Sequence, residues 1–178
     1  MHQDVGKILA SEEQIRQRVE TIGRQITLDY AGKEPVFVGV LKGCFMFMAD
    51  LMRACDVTCT VDFMVVSSYG AGTVSSGAVE IVKDLSHDIA GKDVIIVEDI
   101  LDSGNTLSYL KRYMSAREPA SIRIVTLLDK PERRTADVEA DYVGFTIPDA
   151  FVVGYGLDYD QKYRNLPYIG VLKPEVYS

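Results

Sequence analysis

No stretch of these 178 residues stays apolar for long enough to cross a bilayer. The longest apolar run, around Cys44 to Met48, falls far short of the ~20 residues a spanning helix needs. Positive charge is also in short supply. Nineteen Lys and Arg stand against 26 Asp and Glu, a net charge of −7, and no basic face rises from that background. Nucleic acid is therefore excluded as the main partner. An acidic chain that binds phosphate must do so with local N–H groups, a few cations or a metal. Cysteine is scarce: Cys44, Cys55 and Cys59 cannot all pair, and no second cysteine pair or histidine cluster completes a zinc site. Met1-His2-Gln3-Asp4 has neither the basic nor the apolar character of a signal peptide. The cysteines are accordingly expected to be reduced thiols of a cytoplasmic protein. Neither of the two histidines has a serine or cysteine partner that would suggest a triad. A P-loop is missing. Gly70 and Gly72 are not set between a strand and a helix, as a dinucleotide fingerprint requires.

What is present reads as one α/β domain, with strands and helices in alternation. Ser11-Glu12-Glu13-Gln14 is a capping-box pattern. Ile15, Val19, Ile22 and Ile26 then share one helical face, and Gly32 is a good stop. Strands are expected over Val36 to Leu41, Thr60 to Val66, Val79 to Lys83, Val94 to Val97, Ile122 to Leu128 and Tyr142 to Ile147. Helices are expected over Phe45 to Ala54 and Asn105 to Arg117. Residues 67–77, rich in Gly and Ser, read as a mobile loop: a plain linker or a lid. Phe151, Tyr155, Tyr159, Tyr163 and Tyr168 concentrate aromatic rings among turn residues near the end of the chain. That segment is expected to form a small subdomain covering the sheet edge.

One stretch carries more chemistry than the rest. Val94-Ile95-Ile96-Val97 reads as a strand buried on both faces. Glu98 and Asp99 sit where it should end, Asp102-Ser103-Gly104-Asn105-Thr106 forms a turn, and a helix follows. The crevice beyond the carboxyl end of a strand is where open α/β sheets bind ligands. The free N–H groups and dipole of a helix start favour an anion there. The turn, with two hydroxyls, an amide and a glycine that lets the backbone approach, suits a phosphate monoester. Two adjacent carboxylates suit a cis-diol. Together they describe a ribose 5-phosphate.

The stretch Val94 to Leu107 closely resembles the phosphoribosyl pyrophosphate motif of type I phosphoribosyltransferases. From about Val36 to Tyr168 the chain is similar, more narrowly, to the bacterial hypoxanthine (hypoxanthine-guanine) phosphoribosyltransferases. The likeness includes Leu41-Lys42-Gly43, Ser68-Tyr69, Leu128-Asp129-Lys130-Pro131, Ile147 through Tyr155, Leu157-Asp158-Tyr159 and Tyr163-Arg164. The resemblance implies a mainly parallel, twisted sheet flanked by helices. It also implies one domain over 1–178, with a core of about 11–147 and a small hood from the N-terminal residues and about 148–178. The implied reaction joins a 6-oxopurine (hypoxanthine or guanine) to phosphoribosyl pyrophosphate, giving a nucleoside monophosphate and pyrophosphate, with Mg2+.

The resemblance also implies roles for individual residues. Glu98 and Asp99 match the acids that hold the ribose hydroxyls, partly through metal-bound water. Asp102 matches the base that manages the proton on purine nitrogen 7; on its own it reads as a helix-capping Asp. Ser103, Gly104, Asn105 and Thr106 match the 5-phosphate loop, with Ser103 and Asn105 where relatives often carry Thr and Lys. Leu41, Lys42 and Gly43 match the pyrophosphate loop, where the family often has a cis peptide before the basic residue. Arg164 matches the guanidinium that grips pyrophosphate. Asp158 matches a second magnesium contact beside the purine. Lys130 matches the donor to the purine 6-oxo group, although alone it reads as a turn residue. Phe151 matches the ring that stacks on the base, and Val152 the backbone that reads its edge. Ser68 and Tyr69 match a lid. Magnesium is expected to be held mainly by substrate oxygens, with Glu98, Asp99 and Asp158 as its few protein ligands. Dimeric or tetrameric assembly is implied as well. The competing reading is a non-catalytic regulator of the same fold. Such a protein should carry a DNA-binding extension or a basic face, and this chain has neither.

Overall fold

Four β-forming residues in a row require burial on both faces, and Val94, Ile95, Ile96 and Val97 receive it: all four have no exposed surface. In the computed structural model, which describes residues 1–68 and 79–178, they lie in β5 (Asp93–Leu101) at the centre of a six-stranded sheet. Its other strands are β2 (Val36–Leu41), β3 (Thr60–Ser68), β4 (Val79–Lys83), β6 (Ser121–Asp129) and β7 (Tyr142–Thr146), in the order β4-β3-β2-β5-β6-β7. Only β4 runs antiparallel to its neighbour. Alternation along the strands divides the core into two layers. Phe37, Ile95, Val97, Val125 and Leu127 pack against α1 (Glu12–Asp29) and α2 (Phe45–Ala54). Val38, Val94, Ile96 and Ile124 pack against α3 (Asn105–Ser115).

The local signals form as read from the sequence. Ser11 Oγ accepts a hydrogen bond from Gln14 N at 3.1 Å, and Gln14 Oε1 accepts from Ser11 N at 2.9 Å, closing the capping box. Ile15, Val19, Ile22 and Ile26 are all buried. The Leu41–Lys42 peptide is cis. The three cysteines are free thiols.

Three expectations change. β5 does not end at Val97. Glu98, Ile100 and Leu101 pair with Thr126, Leu128 and Asp129 of β6, so the acid pair lies inside the strand. Charged residues commonly end strands, but here the neighbouring ladder carries the backbone through them. Second, residues 5–10 form a strand, β1 (Val5–Ala10), which pairs with β9 (Ile169–Leu172); β9 pairs in turn with β8 (Val152–Val153). This second, three-stranded sheet joins elements some 160 residues apart in sequence, which no local pattern discloses. Third, the aromatic segment does more than cover the sheet edge. Val152, Tyr155, Leu157 and Ile169 share a core with α1, α2 and β5. Leu157 and Asp158 face the carboxyl end of β5 across a common cavity. Of the lid residues, Ser68 is the last residue of β3, while Tyr69 and the rest of the Gly/Ser loop through Gly77 lie outside the described residues.

Candidate active site

Two adjoining cavities open at the carboxyl ends of the parallel strands. The first, of about 480 Å3, is bounded by Leu41, Gly43, Glu98, Asp99, the loop from Asp102 to Gly104, Thr106, Asp158 and Arg164. The second, of about 550 Å3, is bounded by Lys130, Arg133, Asp149, Phe151, Val152, Leu157 and Tyr177. Asp99, Ile100, Asp102 and Asp158 border both. The seam between the cavities is therefore acidic.

Gly104 makes the loop possible. It sits at φ +86° as the N-cap of α3, and a Cβ there would meet Val138 at 2.6 Å and Arg134 at 2.9 Å. In that left-handed region a side chain is strained. Gly104 itself is the N-cap, and the side chain that accepts from the first turn is Ser103 Oγ, from Asn105 N at 3.4 Å, so Asp102 is not the capping residue its position suggests. The first-turn N–H groups have no intrahelical acceptor and face the side where an anion is favoured. Ser103 and Thr106 border this cavity, whereas Asn105 is exposed on the outer groove along α3. Asn105 is the first residue of the helix, so its side chain turns away and only its backbone belongs to the loop. Behind the loop, Ser103 O accepts from Thr135 N at 2.9 Å and from Ala136 N at 3.1 Å.

Glu98 is buried, and Asp99 beside it is half-buried. Burial, and then the charge of Asp99, hold the Glu98 carboxyl well above its ordinary value. Burial also pushes Asp99 up, against the hydrogen bond it receives from Glu98 and the bond to its carboxylate from Ile100 N at 2.7 Å. Both carboxyls are thus harder to ionise than free ones, because each disfavours a second negative charge at the seam. Close approach matters here as well: a Cβ on Gly43 would run into the Asp99 carboxylate. The same acids, after burial itself, help push the buried Cys44 thiol up to about 12, which leaves it unreactive.

The cations are held by the C-terminal segment. Arg164 Nη1 donates to Gly156 O at 2.7 Å, and Nη2 lies 3.3 Å from Asp158 Oδ1. Gln161 Oε1 accepts from both Arg164 Nη2 (3.1 Å) and Lys42 Nζ (3.2 Å). Lys42 itself is exposed and does not line the cavity; its neighbours Leu41 and Gly43 do. Lys130, which alone reads as a turn residue, is buried. Its ammonium lies 4.0 Å from Asp149 Oδ1. Among the described residues no three acidic, histidine or cysteine side chains converge as a metal cage. Asp99 and Asp158 instead face a shared space as separate oxygen donors, a set that fits a hard ion retaining water and substrate oxygens.

Four residues escaped the sequence reading. Arg133 and Asp149 meet Asp102 and Lys130 in the second cavity. Arg134 ties two loops together: it bonds Asp102 O at 3.2 Å and Val138 O at 3.2 Å, and pairs with the Asp129 carboxylate. Tyr177 stacks on Phe151 with centroids 4.7 Å apart and planes at 18°. The only available signal was the Arg133-Arg134 pair one residue after Lys130-Pro131. Nothing local marks Tyr177, because its neighbour in space is 26 residues earlier in sequence.

Residues 6–160 match the model of the phosphoribosyl transferase domain family. Over all 178 residues the chain is 57% identical to the hypoxanthine-guanine phosphoribosyltransferase of Bacillus subtilis, covering 99% of that protein. It is 55% identical to the bifunctional protein TilS/HprT of Listeria monocytogenes, of whose length it spans only 28%. Among solved structures, a hypoxanthine phosphoribosyltransferase from Staphylococcus aureus superposes with a TM-score of 0.97 at 56% identity, covering 100% of this chain and 97% of that one. The central sheet and its flanking helices are those of that fold.

Proposed function

The chain belongs to the phosphoribosyl transferase domain family, and on that premise we propose that it moves the 5-phosphoribosyl group from phosphoribosyl pyrophosphate to hypoxanthine, and to guanine. The products are IMP or GMP and pyrophosphate, a purine-salvage reaction. One observation carries this reading: a phosphate-type loop and a purine-type pocket adjoin, with Asp102 on their shared border. The 54–57% identity to hypoxanthine-guanine phosphoribosyltransferases over the full chain supports it.

On this reading the first cavity holds the donor. Ser103, Gly104, Thr106 and the backbone of Asn105 take the 5-phosphate, and Glu98 and Asp99 take the ribose hydroxyls. Leu41, Lys42, Gly43 and Arg164 take pyrophosphate, Arg164 through a bidentate fork. Asp99 and Asp158 would hold Mg2+ together with substrate oxygens, and the ion supplies charge neutralisation on the leaving pyrophosphate. In the second cavity Phe151 stacks on the base and Val152 reads its edge. Lys130 donates to the 6-oxo oxygen, which adenine lacks. As the base bonds to the ribose, Asp102 accepts the proton from nitrogen 7. The transition state resembles a ribosyl cation, so water must be kept out, the task assigned to Ser68 and Tyr69. We read 1–178 as one domain, with a core of about 11–147 and a hood from the two terminal segments.

The test is pyrophosphate release with phosphoribosyl pyrophosphate, Mg2+ and each base in turn. Turnover on hypoxanthine or guanine, and little on adenine, is expected. No turnover on either 6-oxopurine overturns the proposal.

A further inference from the structure

We propose that Arg133 is a positioning residue that sets the spacing between the two groups reading the purine edge. The inference rests on the function proposed above. Nitrogen 7 and the 6-oxo oxygen are neighbours on one edge of a rigid ring. The groups assigned to them, Asp102 and Lys130, come from different loops, one after β5 and one after β6. Their separation must match the ring.

The structure links them by a chain of alternating charge. Arg133 Nε lies 3.0 Å from Asp102 Oδ1. Arg133 Nη1 lies 3.6 Å from Asp149 Oδ1, and that same oxygen lies 4.0 Å from Lys130 Nζ. Asp102 Oδ1 is itself shielded from solvent and has no aligned hydrogen bond, although the side chain as a whole is 41% exposed, so among the described residues the guanidinium is the group placed to orient that oxygen. All four residues border the base cavity. Spanning two carboxylates from Nε and Nη1 is a task for the planar fork of arginine; the single ammonium of lysine cannot do it. Arg134, the next residue, already fastens the backbone of the two loops. Arg133 acts on the carboxylate itself, beyond what that backbone tie can fix.

The side chains of Arg133 and Asp149 are about half exposed, at 53% and 50%, so each contact alone is weak. The expected effect is correspondingly modest and specific. Arg133→Met should lower kcat/KM for hypoxanthine about fivefold, the equivalent of one such contact, and narrow its preference over adenine. The Kd for phosphoribosyl pyrophosphate and the Tm should not move. Arg133→Lys should recover less than half of the loss. Asp149→Asn should give the same defect, and the double variant Arg133→Met/Asp149→Asn should be no worse than either. Wild-type kcat/KM in Arg133→Met, an equal loss of donor binding, or additive single effects would each overturn the inference while the proposed function stands. A wild-type protein inert toward both 6-oxopurines would remove the proposed function and this role with it.

Discussion

The two cavities are neighbours, yet they are built in opposite ways. About half of the lining on the anion-binding side comes from one continuous stretch, Glu98 to Thr106, at the end of β5 and the start of α3, with Leu41, Gly43, Asp158 and Arg164 added from elsewhere. The base side is gathered from the loop after β6, the turn before β8 and the last residues of the chain. A site made by one strand–turn–helix unit inherits its geometry from backbone rules. A site gathered from distant segments depends on whatever holds those segments together. Here that means Arg134 between the loops, Leu157 and Val152 in the core, and β1 pairing with β9 beneath the C-terminal segment.

The largest expected effect tests the border between the halves. Asp102→Asn should lower kcat by about 10²–10⁴, the usual range for a lost proton-transfer group, and leave donor Kd within about threefold. If donor binding falls in step, Asp102 belongs to the loop's structure and the two halves do not divide as described. Next in size is a pair of opposed variants. Lys130→Ala should raise KM for hypoxanthine by about tenfold or more, the loss of a charged hydrogen bond, and blur discrimination against adenine without touching donor Kd. Gly104→Ala should do the reverse, weakening the donor and sparing the base, with about 1–2 kcal/mol of strain from its left-handed backbone. Crossed results, read by steady-state kinetics and calorimetry, would abolish the distinction.

The smallest effect lies outside both cavities and serves as the control. Asp62 is buried, and its carboxylate accepts from Phe63 N (2.8 Å), Ser86 N (2.9 Å) and His87 N (3.1 Å). Burial alone would raise it, but those N–H groups and nearby Lys83 outweigh burial and hold it below its ordinary 3.8. Its contribution to stability is therefore complete above about pH 3.8 and is lost as pH falls through the lowered folded value. Asp62→Asn should cost about 1–3 kcal/mol at pH 7 with both substrate constants unchanged. By thermal melts, that cost should shrink as both proteins are taken below about pH 3. A cost that persists undiminished would mean the N–H contacts, and not the charge, carry the effect.

The legibility of each half follows from its construction. Val94 to Val97 announced a buried strand because four β-formers in succession have no other stable placement. Ser11 to Gln14 and the turn at Asp102 to Thr106 were equally plain, since capping and turn chemistry act within a few residues. The same locality misled where the environment intervened. Glu98 and Asp99 read as a strand terminus, yet pairing with β6 carries the strand past them and burial raises the Glu98 carboxyl above its ordinary value. Asn105 read as part of the phosphate loop, and the helix turns its side chain outward.

By itself, then, the sequence determined the central strand, the glycine-dependent loop and the acids beside it, because backbone sterics and alternation act over short spans. Tertiary structure alone decided that Lys130 is buried, that Arg133 and Asp149 link it to Asp102, and that Tyr177 lies against Phe151. Those contacts join residues brought together by strand order and by the pairing of β1 with β9. No periodicity in the chain encodes the distance between two of its loops.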